Sequence, residues 1–452
     1  MSRVVPISVC LALAASACAP SHRELFDPVA SVVRDRTGVT PTWRDGDRPA
    51  AVTARVRELL AAPLTAATAA ELAILNDAAL QADYAALGVA GGALAAARTP
   101  RNPEVEAVLR YPLEGDGDPH LELNAFQSLT DLLVVWARSS AADAEVRAAR
   151  HDAAAKTIAR AAAARAAFAE AAAAAQAVTL RRSIADAADA SAELARALRA
   201  SGNMTELDLT RELLFEEESS LEVVEASDHA SAARERLNTL LGLTGAETGW
   251  TTAEGLPAPP ETLPPLDQLE HDAVAQSLGL AAHRARLEAA GEHIGVARLE
   301  SFVPDVGVGV AYEQAEHGDT LGPAVHLSVP IFDWGQGRRA SAWAELRGLR
   351  HAYAAAAVEL RATARVARVR LEGAHARVTR LRRTVLPLRE RLAAESVKQY
   401  NAMALSPFEL LIIRREQIDA ERRYLEALRD YWVADAAVAA LRAGAMPEGD
   451  LR

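Results

Sequence analysis

Cysteine is almost missing from this 452-residue chain: the two present, Cys10 and Cys18, both lie within the first twenty residues. The body of the protein therefore has no structural disulfide available to it. Aromatic residues are scarce at 4%, with seven Phe and seven Tyr, too few large side chains to fill globular cores over such a length. Alanine dominates instead. It has the highest helix propensity and lets backbones approach closely, so the composition suits long, tightly packed helices. A basic cluster is absent too: the net charge of −12 and pI near 5.5 exclude a nucleic-acid surface, which needs a basic face. The 11 His are scattered, with no pair at ligand spacing beside Cys or carboxylates. No nucleophile elbow or phosphate-cradling glycine loop occurs either, so neither metal, cofactor nor enzymatic chemistry is expected.

What is present begins with an address. Residues 1–17 open Met1-Ser2-Arg3, continue as an apolar run from Val4, and end Ala15-Ser16-Ala17. That is a secretory signal, too short to span a bilayer. Cys18 directly after small residues resembles a bacterial lipobox, in which the cysteine is acylated and becomes the mature N-terminus. Ala15 stands where Leu is usual, and Ala19 follows in place of the Asp that marks inner-membrane retention, which favours the outer membrane. A less ordered arm, 18–67, carries Pro20, Pro28, Pro41 and Pro49 and leads to the first helix.

Beyond the arm the chain is duplicated. Pro103-Glu104-Val105 with Tyr111 recurs as Pro304-Asp305-Val306 with Tyr312, an offset of 201. Ala144-Glu145-Val146-Arg147 recurs as Ala344-Glu345-Leu346-Arg347 at 200. Gly202, Thr205, Asp208 and Leu209 line up with Met403, Ser406, Glu409 and Leu410, again at 201. These matches use Pro, Tyr and acids in one register, which alanine-rich sequence does not produce by accident. The copies span 68–244 and 266–443, separated by a proline-rich linker, 245–265, and followed by a short tail, 444–452.

Each copy changes pattern in the same order. Residues 68–99 and 266–301 read as helices. The period then shifts to two: Val306, Val308, Val310 and Tyr312 alternate with Gly307, Gly309 and Ala311, and Val325, Leu327 and Val329 alternate after a turn. Strands are expected at about 304–313 and 323–332, with counterparts at about 103–112 and 119–130. Each is long enough to cross a bilayer when tilted. Two hairpins cannot close a barrel alone, and lipid tolerates no open edge, so a spanning reading needs several chains in one sheet. Descending helices follow, about 132–200 and 337–401, each about 100 Å long at 1.5 Å per residue. Tips at about 201–208 and 402–409 lead into return helices at 204–241 and 408–443, antiparallel partners in a coiled-coil-like arrangement.

This order resembles the TolC-type outer-membrane efflux family. Val303-Pro304-Asp305 opens the strand, and Leu327-Ser328-Val329-Pro330-Ile331-Phe332-Asp333-Trp334-Gly335-Gln336-Gly337-Arg338 forms the strand-to-helix junction. Pro330 ends the strand, Phe332 and Trp334 suit a membrane interface, and Gly335 and Gly337 permit the turn. With the lipobox, the chain is closest to the lipoprotein branch working with resistance-nodulation-division pumps. The resemblance implies a mainly α fold with a small β part: two tandem repeats that trimerise into a twelve-stranded β-barrel on an α-helical periplasmic tube. It also implies a homotrimer whose partners are a periplasmic adaptor, an inner-membrane pump and outer-membrane lipid.

The candidate sites follow from the tips. Gly202 suits a helix stop, Thr205 with Asp208 resembles a capping box, and Ser406 with Glu409 repeats it. Two readings stand: the acids cap helices, or Asp208 and Glu409 from three chains form a cation-favouring gate. A second family acid is replaced by Ile412, and Met403 stands where glycine is usual, so a different turn is expected there. Leu209 and Leu410 would meet an adaptor. A periplasmic adaptor and a structural coiled-coil lipoprotein are the rival readings; a single helical hairpin between soluble β-domains would mark the first, and absence of strands the second.

Overall fold

The computed structural model describes residues 19–44, 46–111, 119–252, 255–302, 305–314, 318–329 and 331–448. The signal segment, Cys18 and Pro330 lie outside them. In chain order the elements are α1 (His22–Thr37), α2 (Ala50–Ala61), α3 (Ala66–Asn76), α4 (Ala78–Arg98), β1 (Glu104–Arg110), β2 (His120–Ser128), α5 (Leu129–Ala200) and α6 (Glu206–Leu241). The second copy supplies α7 (Leu269–Gln276), α8 (Leu278–Phe302), β3 (Asp305–Glu313), β4 (Thr320–Ser328), α9 (Gln336–Arg380), α10 (Leu386–Asn401) and α11 (Pro407–Arg442). The chain divides into two compact units: residues up to Val29 with Ala82–Ala153 and Leu278–Ala357, and Ala30–Gln81 with Ala154–Ser277 and Val358–Arg452.

The first unit holds one four-stranded antiparallel sheet in the order β1-β2-β3-β4. β4 runs Thr320–Ser328, so Phe332 and Trp334 lie between the strand and α9 and not in the strand. Below the sheet, Val134 and Ala137 of α5 pack on Val296 of α8, and Ile294 packs on Leu346 of α9. Phe26 meets Tyr84 edge-on, centroids 4.9 Å apart.

The arm is helical, contrary to expectation. Pro28 sits inside α1, where it removes the donor owed to the Glu24 carbonyl. Arg150 replaces it, donating to the Glu24 carbonyl at 2.7 Å and the Leu25 carbonyl at 3.2 Å. Pro49 precedes α2 as its N-cap, where a missing N–H costs nothing.

The second unit is organised by alanine. Ala164, Ala167, Ala171 and Ala174 of α5, at alternating spacings of three and four, are buried against Leu237 and Leu241 of α6 and Val56 of α2. The proline-rich linker is strapped down: Trp432 donates to the Pro257 carbonyl at 2.9 Å, Arg442 to that of Pro265 at 2.8 Å, and Arg383 pairs with Glu261 at 3.0 Å.

Three further departures are physical. The helices read over 68–99 and 266–301 are each broken, at Asp77 and Ser277, positions 200 apart whose extended ψ values of 123° and 114° release the last carbonyls. Both breaks are filled alike. Asn76 donates to the Leu241 and Gly242 carbonyls, and Arg44 donates to the Asn76 carbonyl at 3.0 Å. Arg36 donates to the carbonyls of Gln276 and Ala443. Third, α5 is one helix of 72 residues, about 108 Å long at 1.5 Å per residue, whereas its counterpart is interrupted by a π-turn at Leu381–Val385. Pro387, which the expectation of one continuous helix passes over, accounts for the interruption: its ring crowds the carbonyl four residues back, and the wider turn relieves the clash.

Candidate functional site

The two tips lie in the second unit and are built alike. At the first, the amides of Asn203 and Gly202 donate to the carbonyls of Leu198 and Arg199 at 2.9 and 3.0 Å, the double bond that closes a helix on a left-handed residue. Gly202 supplies that residue, with φ +78°. At the second, Ala404 and Met403 donate to Gln399 and Tyr400, both at 2.9 Å. The different turn expected from Met403 does not form. Met403 takes φ +59° itself, its side chain 95% exposed and so free of any clash beyond its own backbone.

The acids then start the return helices. The Thr205 hydroxyl accepts the Asp208 N–H at 3.1 Å and donates to the Asp208 carboxylate at 2.6 Å; Arg211 lies 3.4 Å from the same carboxylate. Only half a capping box is made there. Ser406 and Glu409 make the whole of it: the Ser406 hydroxyl accepts the Glu409 N–H at 3.2 Å, and the Glu409 carboxylate accepts the Ser406 N–H at 3.0 Å. The Ser406 amide, then its hydroxyl, hold the Glu409 carboxyl below the usual carboxylate range. Pro407 occupies the first turn of α11, where its fixed φ suits the start. Leu209 and Leu410 are half-buried, and Ile412 is exposed.

At the sheet end, Phe332 and Trp334 are both exposed. The turn into α9 is made by Asp333, whose carboxylate accepts the Gly335 N–H at 2.8 Å and pairs with Arg338 at 3.2 Å. Gly335 has φ +69°, and a Cβ there would stand 1.9 Å from the Ser301 hydroxyl. Gly337 is not needed for the turn: it has ordinary helical backbone and open space around it. The sequence pattern missed the matching brace of the first copy, where buried Asp131 accepts the Arg101 N–H at 2.8 Å and pairs with Arg138. An Asp at a helix start with an Arg two turns on was its available signal.

Strand register sorts the sheet into two faces. Val105 lies opposite Ala125, Ala125 opposite Val310 and Val310 opposite Pro323; in the next row Ala107, Leu123, Tyr312 and Leu321 align. On the other face Glu106, Asn124, Ala311 and Gly322 form one row and Val108, Glu122, Glu313 and Thr320 another. One face is thus apolar apart from Gln127, and the other carries the charged residues, with Val108 and Phe126 among them. No metal-holding trio exists among the described residues, and no described helix is long and apolar enough to cross a membrane.

No family model matches the chain. It is 26% identical over 385 residues, 81% of its length and 87% of the relative's, to the cobalt-zinc-cadmium resistance protein CzcC of Cupriavidus metallidurans. Among solved structures it shares its fold with the outer-membrane channel OprN at a TM-score of 0.69 and 19% identity, covering 89% of this chain and 99% of that one. The outer-membrane protein VceC of Vibrio cholerae matches at 0.67 and 16%, covering 87% and 97%. The chain thus has the fold of these outer-membrane channels over most of its length and is similar in sequence to CzcC.

Proposed function

We propose that the chain is one of three protomers of an outer-membrane exit duct in a tripartite efflux system, anchored through a lipid on Cys18. It passes small solutes outward from a resistance-nodulation-division pump by way of a periplasmic adaptor. One observation carries this reading: a sheet with an apolar face, a charged face and two outer strands, β1 and β4, each with its outer edge unpaired among the described strands. Joined β4 to β1, three four-stranded sheets close a barrel with lipid outside and water within. An adaptor or a structural coiled-coil lipoprotein has no use for such a sheet.

The polar face bears Glu104, Glu106, Glu122, Asp305 and Glu313 against Arg110, which favours cations. CzcC is named for cobalt, zinc and cadmium resistance, and divalent cations are accordingly the cargo class the reading favours. In the same reading Asp208 and Glu409 ring the narrow end of the duct, while Leu209 and Leu410 face the adaptor. Membrane fractionation with a heat-modifiability gel tests the whole. Detergent-dependent extraction and a heat-sensitive oligomer are expected; a protein that stays soluble once its lipid is removed overturns the barrel.

A further inference from the structure

One cavity in the second unit has no place in the duct reading. It has a volume of about 610 Å³ and is walled by four stretches distant in sequence: the start of α3, the middle of α5, the linker between the copies, and α11. That size falls among small-molecule sites, about 300–1,000 Å³, and so does the lining, apolar with a few polar groups. Leu64, Phe168 and Ala169 are buried along it, and Leu256, Pro257 and Trp432 complete the apolar surface. The linker wall is tied in place on both sides. The Leu64 N–H donates to the Thr251 carbonyl at 2.7 Å, and Trp432, itself part of the lining, holds the Pro257 carbonyl.

Two charged side chains stand in this lining, Asp435 and Arg165. They do not pair with each other, and neither side chain makes a hydrogen bond or an ion pair among the described residues. The two are not equivalent. Arg165 also lines the neighbouring cleft, beside Glu71, so its charge has a second outlet; of these two spaces Asp435 lines this one alone. Burial raises the Asp435 carboxyl pKa against the pull of Arg165 and Arg442, the mark of a carboxylate short of compensation. Such a group gains most from a cation that brings its own hydrogen-bond donor. Phe168 and Trp432, lining the same space, suit an aromatic body attached to that cation.

We infer that this cavity binds a small amphipathic organic cation, its ammonium on Asp435 and its aromatic or branched body against Phe168, Leu256 and Trp432. α5 belongs to the first copy and α11 to the second, with the linker between them, so a ligand held there ties both copies together within one chain. The inference does not rest on the assembly proposed above.

Titration calorimetry of the full-length chain in lipid nanodiscs tests it, with three probes of one shape: tryptamine, indole-3-propionate and 3-ethylindole, which carry a positive, a negative and no charge. Tryptamine is expected to bind most tightly, at one site per chain. Asp435→Asn removes the charge and no described hydrogen bond; it should weaken tryptamine by about tenfold or more, the loss of one charged hydrogen bond, and leave 3-ethylindole unchanged. Ala66→Trp, at a half-buried position of the lining, should exclude all three probes with the circular dichroism unaltered. No tryptamine binding to the parent overturns the inference, as does binding that Asp435→Asn leaves undisturbed. Tryptamine that still binds folded Ala66→Trp sits elsewhere and overturns it too. Tighter binding of indole-3-propionate assigns the cavity to an acid at Arg165, and equal binding of 3-ethylindole shows that the carboxylate is not read; either result contradicts the inference. Should Ala66→Trp fail to fold, Asp435→Asn decides alone.

Discussion

Arg36 reaches the main-chain carbonyl of Gln276 at 3.0 Å, 240 residues away in sequence, and the same nitrogen reaches Ala443 at 2.8 Å. Arg44 serves the Asn76 carbonyl in the same way at the matched break of the first copy. Burial lowers the pKa of both guanidiniums, which nevertheless stay charged at neutral pH. A charge-assisted hydrogen bond to a half-buried carbonyl is worth about 1.5–3 kcal/mol. Arg36→Met and Arg44→Met should each lower stability by about that amount in urea unfolding of the solubilised protein. Equal stability of both variants and the parent would show that water caps these carbonyls as well.

Gly444 and Gly202 separate two costs. Both have left-handed backbone, φ +80° and +78°, but a Cβ on Gly444 would lie 2.1 Å from the Gln276 carbonyl while one on Gly202 meets nothing. Gly202→Ala should cost about 1–2 kcal/mol, the backbone term alone. Gly444→Ala should cost distinctly more, and Gly242→Ala likewise, since its Cβ would stand 2.7 Å from the Asn76 carbonyl. Thermal melts of the three variants rank them.

Glu409 carries a pH signature. Glu409 has its carboxyl pKa lowered in the folded state, chiefly by the Ser406 amide, so its stabilising contribution is present above the unfolded pKa and is lost as pH falls through the folded one. Glu409→Gln should remove that acid-side slope. Ser406→Ala should cost about 1 kcal/mol as a lost N-cap. Replacing Asp208 and Glu409 together by Ala should reduce single-channel cation selectivity in planar bilayers; unchanged selectivity would leave them as helix caps only.

Asp435 behaves in the opposite sense. Burial pushes its carboxyl pKa up, against the pull of Arg165 and Arg442, so the folded state favours the protonated form and ionisation at neutral pH costs stability. Asp435→Asn should therefore be more stable than the parent at pH 7 and converge with it as pH falls below the carboxylate range. A parent that wins at pH 7 would show that the two arginines outweigh desolvation.

On the sheet, Val310→Arg sets a charge on the apolar face at mid-strand, where it should oppose membrane insertion by about 2–4 kcal/mol. Gly322→Arg, on the polar face, should insert normally. Folding into vesicles followed by heat-modifiability distinguishes them.

The strands were readable because Val306 to Tyr312 alternate with glycine and alanine, and a period of two matches the pleat of a strand and no helix. The tips were readable from Thr205-Asp208 and Ser406-Glu409, since a cap needs those atoms three residues apart. The breaks at Asp77 and Ser277 were not, because neither glycine nor proline marks them. Their only trace is a polar pair, Asn76-Asp77 and Gln276-Ser277, repeated 200 residues apart among alanine and leucine. The arm's helices were hidden for a different reason: Pro28 argues against helix locally, and the donor that compensates it, Arg150, stands 126 residues away from Glu24.

The arm between the two clasping arginines also has a length that matters. Arg36 and Arg44 are eight residues apart and must reach two breaks whose separation is set by packed helices, with Gln81 pinning the stretch at the Thr42 carbonyl and the Arg44 amide, both at 3.0 Å. By composition the stretch is an ordinary proline- and glycine-bearing loop, the kind in which insertions accumulate freely. Here it serves as a ruler, and its residue number is under tighter constraint than the identity of the residues between its marks.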